Sequence, residues 1–246
     1  MKIRVWAALF MAFFTPLALA AGTVDVYTAG DSKPKILTDA AHLIDVVGQP
    51  RLAQSWWPGA VISERQATAV ATERQQALLG RLSALAAEES GDDAAAVNAL
   101  RQQVAALKIT GRQQVNLDPD YVRVEALANP PLEGKYTLWV GPQPSTITVF
   151  GLVSQPGKKP FAPGRDVVSY LDEMHMLSGA DKSEAWLIYP NGRTQKVPVA
   201  YWNRRHVEPM PGSTIFVGFS PALWGDRYEA LNADILHSLT HRIPEQ

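Results

Sequence analysis

The chain contains no cysteine. That absence excludes a disulfide framework, a thiolate nucleophile, a zinc site built on thiolates and a lipid-accepting cysteine behind a leader. Catalytic signatures are missing as well: there is no Gly-x-Ser-x-Gly elbow, no His-Glu-x-x-His pair and no glycine-rich phosphate loop. His42, His175 and His206 are scattered singly and give no triad. His237 and His241 are four apart, but no third ligand accompanies them; they read as solvated histidines suited to a helix C-terminus, and no metal or cofactor is expected. Neither charge dominates, with 23 Lys+Arg against 24 Asp+Glu, which disfavours nucleic acid or an anionic membrane as the main partner. Long apolar runs are also lacking, apart from one at the very start.

That run reads as an address. Lys2 and Arg4 precede Val5 to Leu19, broken by Thr15-Pro16, and Ala18-Leu19-Ala20 supplies small residues before a cut. The run is shorter than the ~20 residues that span a bilayer, which favours a cleaved leader over residues 1–20 against a signal anchor. Without Lys2 and Arg4 the balance is 21 basic to 24 acidic residues. The expectation is an exported, soluble, periplasmic monomer held together by its core alone.

Thr23 to Tyr27 alternates as a half-buried strand, Lys35 to Leu37 is a second strand, and Ala40 to Val47 follows as a short helix. From Ser63 to Leu107 the period becomes helical. Ser63 with Gln66 forms a capping box, Leu78, Leu82 and Leu85 mark one helix, and Asp93 caps another carrying Val97, Leu100 and Val104. This αα-hairpin interrupts strands, so it reads as an insertion. Val122-Arg123-Val124 and Tyr136 to Val140 then read as strands. A second block runs strand 146–150, Pro-Gly turn, helix 167–176, strand 185–189, Asn191-Gly192 turn, strand 194–199 and strand 214–217. Both blocks end with a proline-rich turn and a glycine leading into an alternating strand, which suggests a degenerate duplication. In the tail, Trp224, Tyr228, Leu231, Ile235 and Leu239 form an apolar helical stripe, which either docks on its own domain or faces a partner.

Thr148-Val149-Phe150-Gly151-Leu152-Val153-Ser154-Gln155-Pro156-Gly157 resembles the opening of a soluble ligand-binding β-grasp (SLBB) repeat, the module of outer-membrane polysaccharide export proteins. Ser178-Gly179-Ala180-Asp181, Tyr189-Pro190-Asn191-Gly192 and Pro211 to Val217 fit the same module in order. The whole chain from about Gly22 to Pro244 resembles the capsule biosynthesis GfcC family, on Trp56-Trp57-Pro58-Gly59-Ala60, Ile109-Thr110-Gly111-Arg112, Leu117 to Val124, Asn129-Pro130-Pro131-Leu132 and Asn203 to Pro209. The resemblance implies an α+β fold of two β-grasp domains. The first spans 21–140 with a hairpin inserted at about 63–107, the second spans 146–219, and a C-terminal amphipathic helix covers 221–243. It also implies a periplasmic role in making or exporting surface polysaccharide.

Candidate chemistry is sparse. Asp118-Pro119-Asp120 reads as a turn in which Asp118 bonds the N–H groups ahead of it, rather than as an acid pair. Gly111 allows a sharp turn after the second helix, and Arg112 follows with a fork suited to a carboxylate or phosphate. The resemblance places this arginine in a cleft beside the C-terminal helix. Trp139 and Trp186 read as core. Of Trp56 and Trp57, one packs under the hairpin and the other is accessible. Arg204-Arg205-His206 is a small basic cluster that reads as a solvated loop.

The reading is a binding accessory of surface-polysaccharide assembly, with Arg112 as the ligand contact and weaker candidates at Asp118, Trp56 and Trp57. Its partners are the polymer's anionic groups or the outer-membrane export machinery. Membrane contact is left only to the tail helix. Two alternatives stay open. One is an enzyme modifying the polymer or its carrier, with Arg112 holding an anion near Asp118; the other is an adaptor docking through the tail stripe.

Overall fold

A computed structural model describes residues 21–220 and 226–244. The leader reading and Trp224 lie outside these residues. In β1 (Gly22–Thr28) Val24 and Val26 are fully buried, while Thr23, Asp25 and Tyr27 occupy the opposite face. β2 (Lys35–Ala40) pairs antiparallel on one side of β1, and β4 (Lys135–Val140) lies parallel on the other. β3 (Val61–Glu64) pairs antiparallel with β4, giving the order β2-β1-β4-β3. Val24, Val26, Leu138 and Ile62 meet Leu43 and Val46 of α1 (Leu43–Val47) in one small core.

The second sheet repeats this frame. β5 (Thr146–Gly151) lies parallel to β9 (Thr214–Val217), and β6 (Gly157–Pro160), β7 (Glu184–Ile188) and β8 (Thr194–Pro198) complete the order β6-β5-β9-β7-β8. In both sheets a first strand sits between the second strand and a parallel last strand, the β-grasp arrangement. β9 is buried at every position, so both faces of its sheet are covered.

The helical hairpin, α2 (Arg65–Glu88) and α3 (Gly91–Ala106), supplies part of that cover. It lies between β3 and β4 in sequence, yet Leu78, Leu82, Leu85, Leu100 and Val104 join Phe150 and Phe216 in the second core. Gln103 on α3 donates to the Gly151 carbonyl and accepts from its N–H, both at 2.9 Å. The last helix, here α6 (Asp226–Thr240), buries Tyr228, Leu231, Ile235 and Leu239 in the same core. Arg74 and Arg81 of α2 both reach Asp234 of α6.

Several local expectations are corrected. Ser63 belongs to β3 and is buried, so α2 starts at Arg65 and the capping box does not form; strand pairing with β4 outweighs the local capping signal. Ser90, not Asp93, occupies the N-cap position of α3, and Asp93 accepts instead from the Ser178 hydroxyl. Residues 122–124 are not a strand: α4 (Pro119–Val124) is a helical turn with Pro119 at its start and Val122 turned into the first core. Arg123 therefore lies on a helix, paired with Asp120 at 2.7 Å. The helix expected at 167–176 is the shorter α5 (Val167–Leu171), and β3 and β6 are additional strands.

Candidate functional site

Beyond α3 the chain runs extended between the two halves. Gln113 N–H donates to Ile62 O at 2.8 Å and Glu64 N–H to Gly111 O at 3.3 Å, so this segment covers the edge of β3. On the other side Thr110 N–H donates to His241 O at 2.8 Å. Gly111 is needed for close approach rather than for a sharp turn. A Cβ there would lie 2.2 Å from backbone atoms of Ala67 and Thr68, whose hydroxyl accepts the Gly111 N–H at 3.0 Å.

This path aims Arg112 across the molecule. Its Nη2 donates to Pro190 O at 2.8 Å and its Nη1 to Thr240 O at 3.4 Å. The guanidinium lies over Gly192, where a Cβ would come within 3.2 Å of it. Gly192 also has φ of 85°, which favours glycine in the β7–β8 turn. Arg112 thus ties a turn of the second sheet to the C-terminal carbonyls of α6, where the helix dipole favours a cation. Burial, and after it the charge of Arg242, pushes its pKa down to about 10, which leaves it cationic at neutral pH.

The same guanidinium lines a cleft of about 950 Å³ between the halves. One wall is the outward face of the first sheet, where Tyr27 and Trp139 are register partners. Their rings stack with centroids 6.1 Å apart and planes 9° from parallel. Thr148, Thr214 and the end of α6 with Leu239 and Arg242 form the opposite wall. The charged residues lining it are Lys108, Arg112, Lys158 and Arg242 against Asp31, whose carboxylate already accepts from Thr28 Oγ1. The buried Thr214 hydroxyl has no partner among the described residues.

The other candidates lie as follows. Trp56 lines the cleft and shields Gly59, whereas Trp57 packs against the first core, not under the hairpin. Asp118 is absent from the cleft lining and caps α4, accepting from Asp120 N–H at 2.9 Å and Tyr121 N–H at 3.4 Å. Arg112 and Asp118 are therefore not brought together. Tyr228, Leu231, Ile235 and Leu239 face the protein's own core, which removes them as an exposed docking stripe. His237 and His241 are part-buried rather than fully solvated, and their rings approach to 3.9 Å. Burial first, then His241 and Arg74, lower His237 to about 4 against the opposing pull of Asp234. No cluster of three or more metal-ligating side chains occurs among the described residues.

Trp139 is partly buried in the cleft wall, not core, and Tyr27 and Arg242 are further lining residues that no motif marked. The period-two pattern held the signal for the two aromatics, because each follows a fully buried neighbour, Val26 and Leu138.

Fold and site define a double β-grasp protein with a cationic, aromatic-walled cleft between its two sheets. Two family descriptions match it: capsule biosynthesis GfcC, N-terminal, over residues 20–143, and capsule biosynthesis GfcC C-terminal, over residues 155–244. The chain belongs to the capsule biosynthesis GfcC family. It is similar to the uncharacterized protein YjbG of Escherichia coli (strain K12), 64% identical over 238 residues and covering 97% of each chain. Among the described residues no helix is long and apolar enough to cross a membrane.

Proposed function

We propose that this chain is a periplasmic accessory of surface-polysaccharide assembly that holds an anionic stretch of the polymer, or of its carrier, in the cleft between the sheets. The observation that carries this reading is the stacked Tyr27–Trp139 pair lining the same cleft as Arg112 and Arg242. Aromatic faces suit the C–H faces of sugar rings, and the cations suit uronate, pyruvyl or phosphate groups. Family membership supports the polysaccharide context. Arg112 has two of its five donors engaged by backbone carbonyls, so its part is to set the charge and shape of the wall as well as to offer the remaining N–H groups. The enzymatic alternative loses its proposed acid, since Asp118 stands outside the cleft.

The test is a titration of the mature chain with acidic and neutral oligosaccharides, followed by tryptophan fluorescence. Saturable binding of the acidic ligand is expected, weakened about tenfold in Trp139→Ala, equivalent to about 1.4 kcal/mol. Equal affinity for neutral and acidic ligands, or unchanged affinity in the variant, would refute the cleft as the binding site.

A further inference from the structure

The face that the second sheet turns toward the hairpin changes character along its length. On β5, Ile147 and Val149 are fully buried, and Thr146, Thr148 and Phe150 alternate onto the opposite face. Across the parallel register Phe150 meets Phe216, and Thr148 meets Thr214. The two phenyl rings, with centroids 6.1 Å apart, join the hairpin leucines in the second core. Thr146, Thr148 and Thr214 line the cleft instead, so this wall carries a patch of hydroxyls.

None of the three hydroxyls has a hydrogen-bond partner among the described residues. Thr214 is fully buried, and leaving a buried hydroxyl unpaired is costly. Valine has the same branched shape and no such cost. Folding therefore gains nothing from this row of hydroxyls, which points to a polar occupant of the cleft. Thr146 and Thr148 are partly exposed, so theirs are open to it. Their backbones are fixed: Thr148 N–H donates to Ser213 O at 2.9 Å, and Gly212 N–H to Thr146 O at 2.7 Å.

The opposite wall supplies the stacked rings of Tyr27 and Trp139. A pyranose has an apolar C–H face and a rim of hydroxyls that both donate and accept. The two walls match those two surfaces. A phosphate group has no face to stack and only accepts hydrogen bonds, which leaves the rings without a purpose.

We propose that Thr146 and Thr148 are ligand-binding residues that hydrogen-bond the hydroxyl rim of a pyranose unit lying on Tyr27 and Trp139. This rests on the cleft reading above and deepens it, since the cleft then takes a sugar ring of the polymer and not a carrier's phosphate alone. Thr214 continues the row inward, level with Ile188 of β7.

The experiment titrates the mature chain with tetraglucuronate and, separately, with inorganic pyrophosphate. Thr146→Val/Thr148→Val is expected to weaken tetraglucuronate about tenfold. Its thermal midpoint should stay at the wild-type value, because the lost hydroxyls bond nothing within the described protein. Thr146→Ser/Thr148→Ser keeps the hydroxyls and is expected to restore the affinity. A serine variant as weak as the valine one assigns the effect to shape and overturns the proposal. So does a valine variant whose thermal midpoint falls together with its affinity. Undiminished tetraglucuronate binding by the valine variant, with Trp139→Ala weakened, removes the threonines and leaves the cleft standing. If the wild type binds pyrophosphate and not tetraglucuronate, the cleft takes a phosphate and the proposal fails. Binding of neither probe overturns the cleft reading and this inference together.

Discussion

The two sheets share a frame and part company after the third strand. In the second sheet β7 turns at Asn191-Gly192 and returns as β8, which covers its edge. In the first sheet β3 leads instead into the helical hairpin, and its edge is covered by the short extended stretch around Arg112. An uncovered strand edge invites unwanted pairing, so each sheet meets that need by a different route. The first core takes nothing from the hairpin, while the second is built around it. An insertion is therefore best assigned by what it buries, not by where it enters the sequence.

The strongest challenge to this comparison is Leu82→Ala. Leu82 is fully buried in α2, and its truncation should cost about 2–5 kcal/mol. Amide exchange should show protection falling in β5 and β9, with β1 and β4 far less affected, although α2 follows directly from β3. Equal loss in both sheets would mean the hairpin supports the first half too. Next is Gly111→Ala, which forces a methyl group into the backbone of α2 and should destabilise by about 1–3 kcal/mol in urea unfolding. Gly80→Ala in the same helix is the opposite case. Nothing lies within 4 Å of its Cβ position, and a gain of about 0.5–1 kcal/mol is expected.

The smallest effect concerns pH and the end of α6. His237 titrates at about 4 in the folded chain and near 6.5 when unfolded. Between those values the unfolded state binds the extra proton, so stability rises with pH across that window and is lost as pH falls through it. Urea midpoints at pH 7 and pH 5 should differ by less in His237→Gln than in the wild type. An identical slope in the variant would remove His237 as the cause.

Much of the layout was legible because it depends on short-range pattern. Alternation in Thr23–Tyr27 and Thr146–Phe150, helical spacing in Leu78, Leu82 and Leu85, and the Asn191-Gly192 turn all became the elements they suggested. Asp118 caps the backbone ahead of it as its proline neighbour implied, though that turn starts a helix and not a return to strand. Failures occurred where a distant partner decided the outcome. Ser63 has the neighbours of a helix cap, but Thr137 across the sheet claims its backbone. Trp139 has the composition of core, but which face of β4 is covered depends on elements remote in sequence.

By itself the sequence determined the absence of cysteine chemistry and the elements that local periodicity allows. Those are properties of residue type and of spacing within a few turns or strands. Tertiary structure alone decided that the hairpin belongs to the second core, that Tyr228, Leu231, Ile235 and Leu239 are covered, and that Arg112 reaches Pro190 and Thr240 across 78 and 128 residues. The physical reason is that burial and a guanidinium's carbonyl partners are set by whatever folds against them. A cleft between two sheets exists only once both have formed.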